Sequence, residues 1–228
     1  MHFVILALLI VALVFGPQFW ARYIFRRHSR PRPEMPGTGG ELARHLIERF
    51  GLEGVKVEVT ELGDHYDPQS KTVRLQQQHY QGRSLTAIAI AAHEVGHAIQ
   101  DHQNSPLLRS RTRLVGFAQW TEKAGSLAMM AIPVVSLLSR SPSAAALLFF
   151  LGIASLFVST LVHLVTLPVE WDASFNKALP ILREGNYIRP EDHKALRKIL
   201  KAAALTYVAA SLASLLNLAR WIAILRRR

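Results

Sequence analysis

Apolar residues in this 228-residue chain gather into long runs separated by basic stretches. Phe3 to Trp20 carries no charge and, at about 18 residues, is long enough to cross a bilayer as an N-terminal anchor. Arg22, Arg26, Arg27, Arg30 and Arg32 follow it, then a Pro- and Gly-rich linker from Pro31 to Gly40. Basic residues on that flank predict an N-terminus outside and the next segment in the cytoplasm. The pattern then changes. Glu41 to Phe50 sets Leu42, Leu46 and Ile47 on one helical face, with Gly51 as a stop. Val55 to Val59 alternates with period two and predicts a strand. Thr72 to Leu75 predicts another, and Gly63 to Pro68 between them a turn. Leu85 to Gln100 has no Pro, one Gly and many Ala, which predicts a helix capped by Ser84 or Thr86.

The apolar runs then return. Gln103 to Arg113 is a polar, basic lead into a second span. That span is interrupted at Thr121-Glu122-Lys123, clean only over Ala124 to Leu138, and contains Pro133. After a tight turn at Ser139 to Ser143, Ala144 to Leu167 is the clearest span, with His163 its one ionisable residue. Lys177 to Lys201 is basic and helical in pattern, broken at Gly185 and Pro190. Ala202 to Ala219 is apolar again, with Arg220 and Arg226 to Arg228 behind it. Four spans from an outside N-terminus would leave those arginines outside, against the positive-inside tendency. The last helix is therefore read as either transmembrane or membrane-associated.

Composition sharpens the class. The chain is 50% hydrophobic, with mean hydropathy +0.17. Its net charge of +11 comes from residues that flank apolar runs and are not interleaved with aromatics, so no nucleic-acid partner is implied. There is no Cys, which excludes disulfides, thiolate metal sites and cysteine nucleophiles.

The chemistry concentrates in Ala91-Ala92-His93-Glu94-Val95-Gly96-His97-Ala98-Ile99-Gln100. This is an HExxH motif. On a helix, His93 and His97 project from one face and can share one zinc ion, and Glu94 is placed to take a proton from a zinc-activated water. A catalytic two-histidine site needs a third protein ligand and an open fourth position. Glu170, in Pro168-Val169-Glu170-Trp171-Asp172, returns to the side of His93 if the two spans before it form a hairpin. The alternative reading of that residue is a solvated Glu at a helix start, where negative charge is favoured. Asp172 is a candidate to brace a ligating histidine, and Tyr66, His65 and His163 are candidates for stabilising an oxyanion. His79 is also within reach of such a site by position in the chain, and for His65, Tyr66 and His79 alike a structural role is the plainer reading.

Asp64-His65-Tyr66-Asp67-Pro68, Lys71-Thr72-Val73-Arg74-Leu75, the two-histidine segment and Leu167-Pro168-Val169-Glu170-Trp171-Asp172-Ala173-Ser174 together resemble the YugP-type neutral zinc metallopeptidases. The resemblance covers essentially the whole chain. More distantly, the order is similar to the HtpX-type membrane metalloproteases, where a hairpin of spans also separates the two-histidine helix from a ligand Glu. The resemblance implies one zinc per chain on His93, His97 and Glu170, with Glu94 catalytic. Gluzincins often carry an Asp four residues after the ligand Glu; here that position is Ser174 and the Asp stands at 172.

The expected fold is a mainly α membrane protein, with three to four transmembrane helices and a small α+β zincin-like catalytic unit. The expected parts are an anchor (1–25), a basic linker (26–40), the catalytic unit (41–112), a transmembrane hairpin (113–168), the third-ligand region (169–201) and a C-terminal helix (202–228). The expected function is a multi-pass, membrane-bound zinc endopeptidase acting on polypeptides from the cytoplasmic side, its oligomeric state left open. The alternatives are a membrane scaffold or adaptor with a structural zinc, or a zinc hydrolase of a lipid or other small substrate.

Overall fold

The computed structural model describes residues 2–139 and 141–206. It is mainly helical with one small sheet. The elements in order are α1 (His2–His28), α2 (Gly39–Arg49), β1 (Lys56–Thr60), β2 (His65–Asp67), β3 (Thr72–Gln76), α3 (Gln77–Tyr80), α4 (Leu85–His102), α5 (Pro106–Ser139) and α6 (Pro142–Trp171). A π-helical segment (Asp172–Ala178), α7 (Leu179–Glu184) and a 3₁₀ turn (Pro190–Asp192) follow, and a further helix runs from 193 to 206. The chain divides into two compact units. One takes in the residues up to Pro17 with Ser110–Thr166; the other takes in Gln18–Arg109 with Leu167–Thr206.

The second unit holds the sheet and the two-histidine helix. Thr38 caps α2 by accepting from the Glu41 backbone N–H, and the Glu41 carboxylate accepts from the Thr38 N–H in return. Leu42 and Leu46 of that helix are buried, as their spacing predicts. Ser84 caps α4, accepting from the Ala87 N–H, whereas the Thr86 hydroxyl donates to the Phe25 carbonyl at 2.9 Å. All residues of α4 from Leu85 to Gln100 are buried. A helix this rich in Ala lets its neighbours close in on every side.

The sheet order is β1-β3-β2, with β1 parallel and β2 antiparallel to β3. The stretch predicted as a turn at 63–68 contains β2, an edge strand pairing Tyr66 with Val73. Three residues are too few to display a strand period, and the pairing comes from the partner strand. Asp64 fixes the entry to it by accepting from the Gln76 N–H (2.8 Å) and from His79 Nδ1 (2.8 Å).

The linker predicted over 26–40 is held in place. Its first residues complete α1 and its last begin α2. Between them the Arg32 N–H donates to the Arg83 carbonyl (2.7 Å), the Arg32 guanidinium pairs with Asp192 (2.7 Å) and Met35 is buried.

In the first unit α5 and α6 approach closely where a Cβ on Gly125 would lie 2.6 Å from the Ser155 Cβ. Helix α5 runs unbroken through Thr121-Glu122-Lys123, whose polar side chains leave the backbone hydrogen bonds intact, and through Pro133, which lacks the N–H that would bond the Met129 carbonyl. Among the described residues one helix, Pro106–Leu138, is long and apolar enough to cross a membrane, and Ala146–Ser155 is a shorter apolar helix. Of the C-terminal helix expected over 202–228, residues 202–206 continue the helix that begins at 193, and the rest lies outside the described residues.

Candidate metal centre

Helix α4 carries His93 and His97 four residues apart, and their rings stack edge to face with centroids 4.8 Å apart. The end of α6 brings Glu170 against them, its Oε2 lying 3.2 Å from His93 Nε2 and 3.3 Å from His97 Nε2. Glu94 sits beside His93. All four side chains are buried, Glu170 at 1% exposure, and Glu94 Oε2 and Glu170 Oε1 are shielded from solvent. Among the described residues this is the one cluster of three histidines or carboxylates within metal-ligand reach, its ligand atoms all within 4.8 Å of one another.

Two features bring the elements this close. Gly96 faces the π-helical segment, where a Cβ would fall 2.9 Å from the Ala173 carbonyl oxygen. The π-helical winding that begins right after the Glu170 turn keeps Glu170 and Ser174 both aimed at α4. Single π turns inside α-helices recur at functional sites.

The hydrogen bonds behind the histidines decide which nitrogens carry protons. Gln100 is fully buried. Its Nε2 donates to the Val169 carbonyl (2.9 Å) and to Asp172 Oδ2 (2.8 Å), so its Oε1 is the atom that faces His97 Nδ1 at 2.9 Å. His97 Nδ1 must therefore be the donor. The Ser174 hydroxyl donates to the Leu200 carbonyl (3.2 Å) and accepts from His93 Nδ1 (3.0 Å). A neutral imidazole with its proton on Nδ1 has its lone pair on Nε2. Two lone pairs and a carboxylate oxygen thus meet in a buried space.

This donor set fits a divalent cation. Two imidazoles and one carboxylate form a common zinc-ligand set, and with bonds of about 2.0–2.1 Å two ligands on a tetrahedral ion stand about 3.3 Å apart. The observed separations of 3.2 and 3.3 Å match that edge.

The other expected candidates are placed as follows. Asp172 touches no histidine; its carboxylate receives Gln100 Nε2 and Asn176 Nδ2. Tyr66 donates to Asp101 Oδ2 at 2.8 Å, and burial together with that hydrogen bond pushes its phenol well above the usual value. His65 lies on the edge strand with Nδ1 2.8 Å from the Gly63 carbonyl. His79 pairs with Asp64. The side chain of His163 is outside the described residues. Gln100 and Ser174 were not singled out from the sequence as braces of the histidines. The available signal was their spacing, three residues after His97 and four after Glu170, which puts each on the face of its neighbouring ligand.

The profile of a family described as "Putative neutral zinc metallopeptidase" matches residues 3–226. The chain is 35% identical over 226 residues to a Bacillus subtilis (strain 168) protein named "Putative membrane protease YugP", covering 98% of this chain and 96% of that one. No solved structure matches the chain.

Proposed function

Because the chain belongs to the neutral zinc metallopeptidase family, we propose that it is a membrane-bound zinc endopeptidase whose ion is held by His93 Nε2, His97 Nε2 and the Glu170 carboxylate. The observation that carries this reading is the meeting of two histidine lone pairs with a buried carboxylate, each histidine locked by a partner that takes its other proton. Zinc bound there supplies a Lewis acid for the scissile carbonyl and lowers the pKa of a water towards about 7. Glu94 accepts the proton of the attacking water and passes it to the leaving amine. A purely structural site has no use for such a base, which favours the enzyme over the scaffold. The edge strand β2, packed on α4 through Tyr66 and Asp101, offers backbone pairing to an extended polypeptide.

The membrane assignment rests on large apolar side chains left mostly exposed. Met130, Leu137 and Leu138 of α5 are at least 75% exposed, and Leu147 and Phe150 of α6 over 60%. Apolar surface on that scale calls for lipid. We assign the anchor at 3–20 and the α5 and α6 helices to the bilayer, with the metal centre on the cytoplasmic side that the arginines after residue 20 indicate.

The test compares wild type, Glu94→Gln and Glu170→Ala in mild detergent for bound zinc and for cleavage of an unfolded protein. The expected result is one zinc and cleavage in wild type, full zinc without cleavage in Glu94→Gln, and lost zinc in Glu170→Ala. Cleavage by wild type no greater than by Glu94→Gln refutes the peptidase. Full zinc in Glu170→Ala refutes the ligand set.

A further inference from the structure

Gln100 is a fully buried amide that makes three hydrogen bonds. Its two N–H groups grip the chain on either side of Glu170: the Val169 carbonyl just before it and the Asp172 carboxylate two residues after it. Its oxygen takes the Nδ1 proton of His97. We infer that Gln100, held by Asp172, is a positioning residue that sets the tautomer of His97 and the placement of Glu170 together, so that two of the three ligand atoms are prepared before an ion arrives; this rests on the metallopeptidase reading above.

The direction of the amide is decisive. A side-chain amide can in principle be turned end for end. Turned round, Gln100 would present N–H groups to His97 Nδ1, and the imidazole proton would move to Nε2. That nitrogen would then face Glu170 with a proton instead of a lone pair and could hold no metal. Two acceptors on one side of the amide, a carbonyl and a carboxylate, forbid the turn. Asp172 has a second anchor of its own, since its Oδ1 accepts from Asn176 Nδ2 at 2.8 Å. The direction is thus imposed from Asn176 through Asp172 and Gln100 to His97.

His93 shares Glu170 with His97 but is braced at its Nδ1 by different contacts. Its Nδ1 is held by Ser174, whose hydroxyl is directed by the Leu200 carbonyl. It therefore serves as an internal reference, because collapse of the site disturbs both histidines and loss of positioning disturbs His97 alone.

The experiment is nitrogen NMR of histidine-labelled, metal-free full-length protein in detergent, together with zinc affinity measured by competition with a chromophoric chelator. In wild type Nδ1 of both histidines is expected to be protonated. In Gln100→Met, which keeps length without the amide, His97 is expected to shift towards the Nε2–H form while His93 stays. Zinc binding should weaken about 10- to 100-fold, the usual effect of removing such a brace. The double variant Gln100→Glu with Asp172→Asn keeps an acceptor on His97 and a donor–acceptor pair with residue 172, and gives up only the bond to the Val169 carbonyl. It is expected to restore the Nδ1–H form and to recover affinity over Gln100→Met. An unchanged His97 in Gln100→Met, or both histidines shifting together, overturns the inference. If Gln100→Met does not fold, the double variant decides: Nε2–H on its His97 overturns it. Wild type with the assigned tautomers and no affinity for zinc refutes the metallopeptidase reading and leaves the role of Gln100 towards His97 standing.

Discussion

Asp67 shows how much a single side chain owes to its neighbours. It accepts from Arg74 Nη1 at 2.9 Å and from the Ser70 hydroxyl at 2.7 Å. The Arg74 hydrogen bond, aided by Ser70, holds its carboxyl down to about 2 from an ordinary 3.8. A carboxylate whose pKa is lower folded than unfolded contributes stability above the unfolded value and loses it as pH falls through the folded one. Asp67→Asn is therefore expected to lower the thermal midpoint at pH 7, and the gap to close between pH 4 and about pH 2. The pair is partly exposed, so the effect is at most about 1 kcal/mol. Melting curves across that range check it, and a gap independent of pH refutes it. At the same scale, His93, Glu94 and His97 were legible because a helix alone sets their relation. Gln100 and Ser174 were not, since their partners at Val169, Asp172 and Leu200 arrive only when distant segments pack.

Among the elements, α4 and the segment after α6 are the pair on which the site depends, and Gly96 is where they touch. Gly96→Ala puts a methyl carbon 2.9 Å from the backbone oxygen of Ala173, which has no flexible end to move aside. The expected cost is about 1–3 kcal/mol, with loss of bound zinc because Glu170 lies on the displaced chain. Gly116→Ala, with nothing within 4 Å of the added carbon, is the control and should lose neither. Thermal melts and zinc content of the two variants check this, and Gly96→Ala matching Gly116→Ala refutes it. Helices α2 and α4 were readable from period and caps. Strand β2 was not, because an edge strand of three residues is made by its partner, and the π-helical winding has no period of its own in the sequence.

For the whole molecule the question is which face of a membrane the metal centre meets. Five arginines between residues 22 and 32 predict that a reporter fused after Arg32 stays in the cytoplasm. Alkaline phosphatase there is expected to be inactive and a fluorescent protein bright; the reverse overturns the cytoplasmic assignment. The same pair of reporters at the C-terminus decides whether the last apolar stretch crosses. The sequence by itself determined the apolar segments, the two-histidine helix and the place of Glu94 on it, since these depend on period and spacing within one stretch of chain. It also pointed to Glu170, since a ligand was needed after the hairpin. Tertiary structure alone decided that Glu170 reaches both histidines, that Asp172 acts on Gln100 and not on a ligand, and that Ser174 holds His93. Those are contacts between residues some 70 to 80 positions apart, where a shift of one residue in packing changes the partner and no local pattern records the choice.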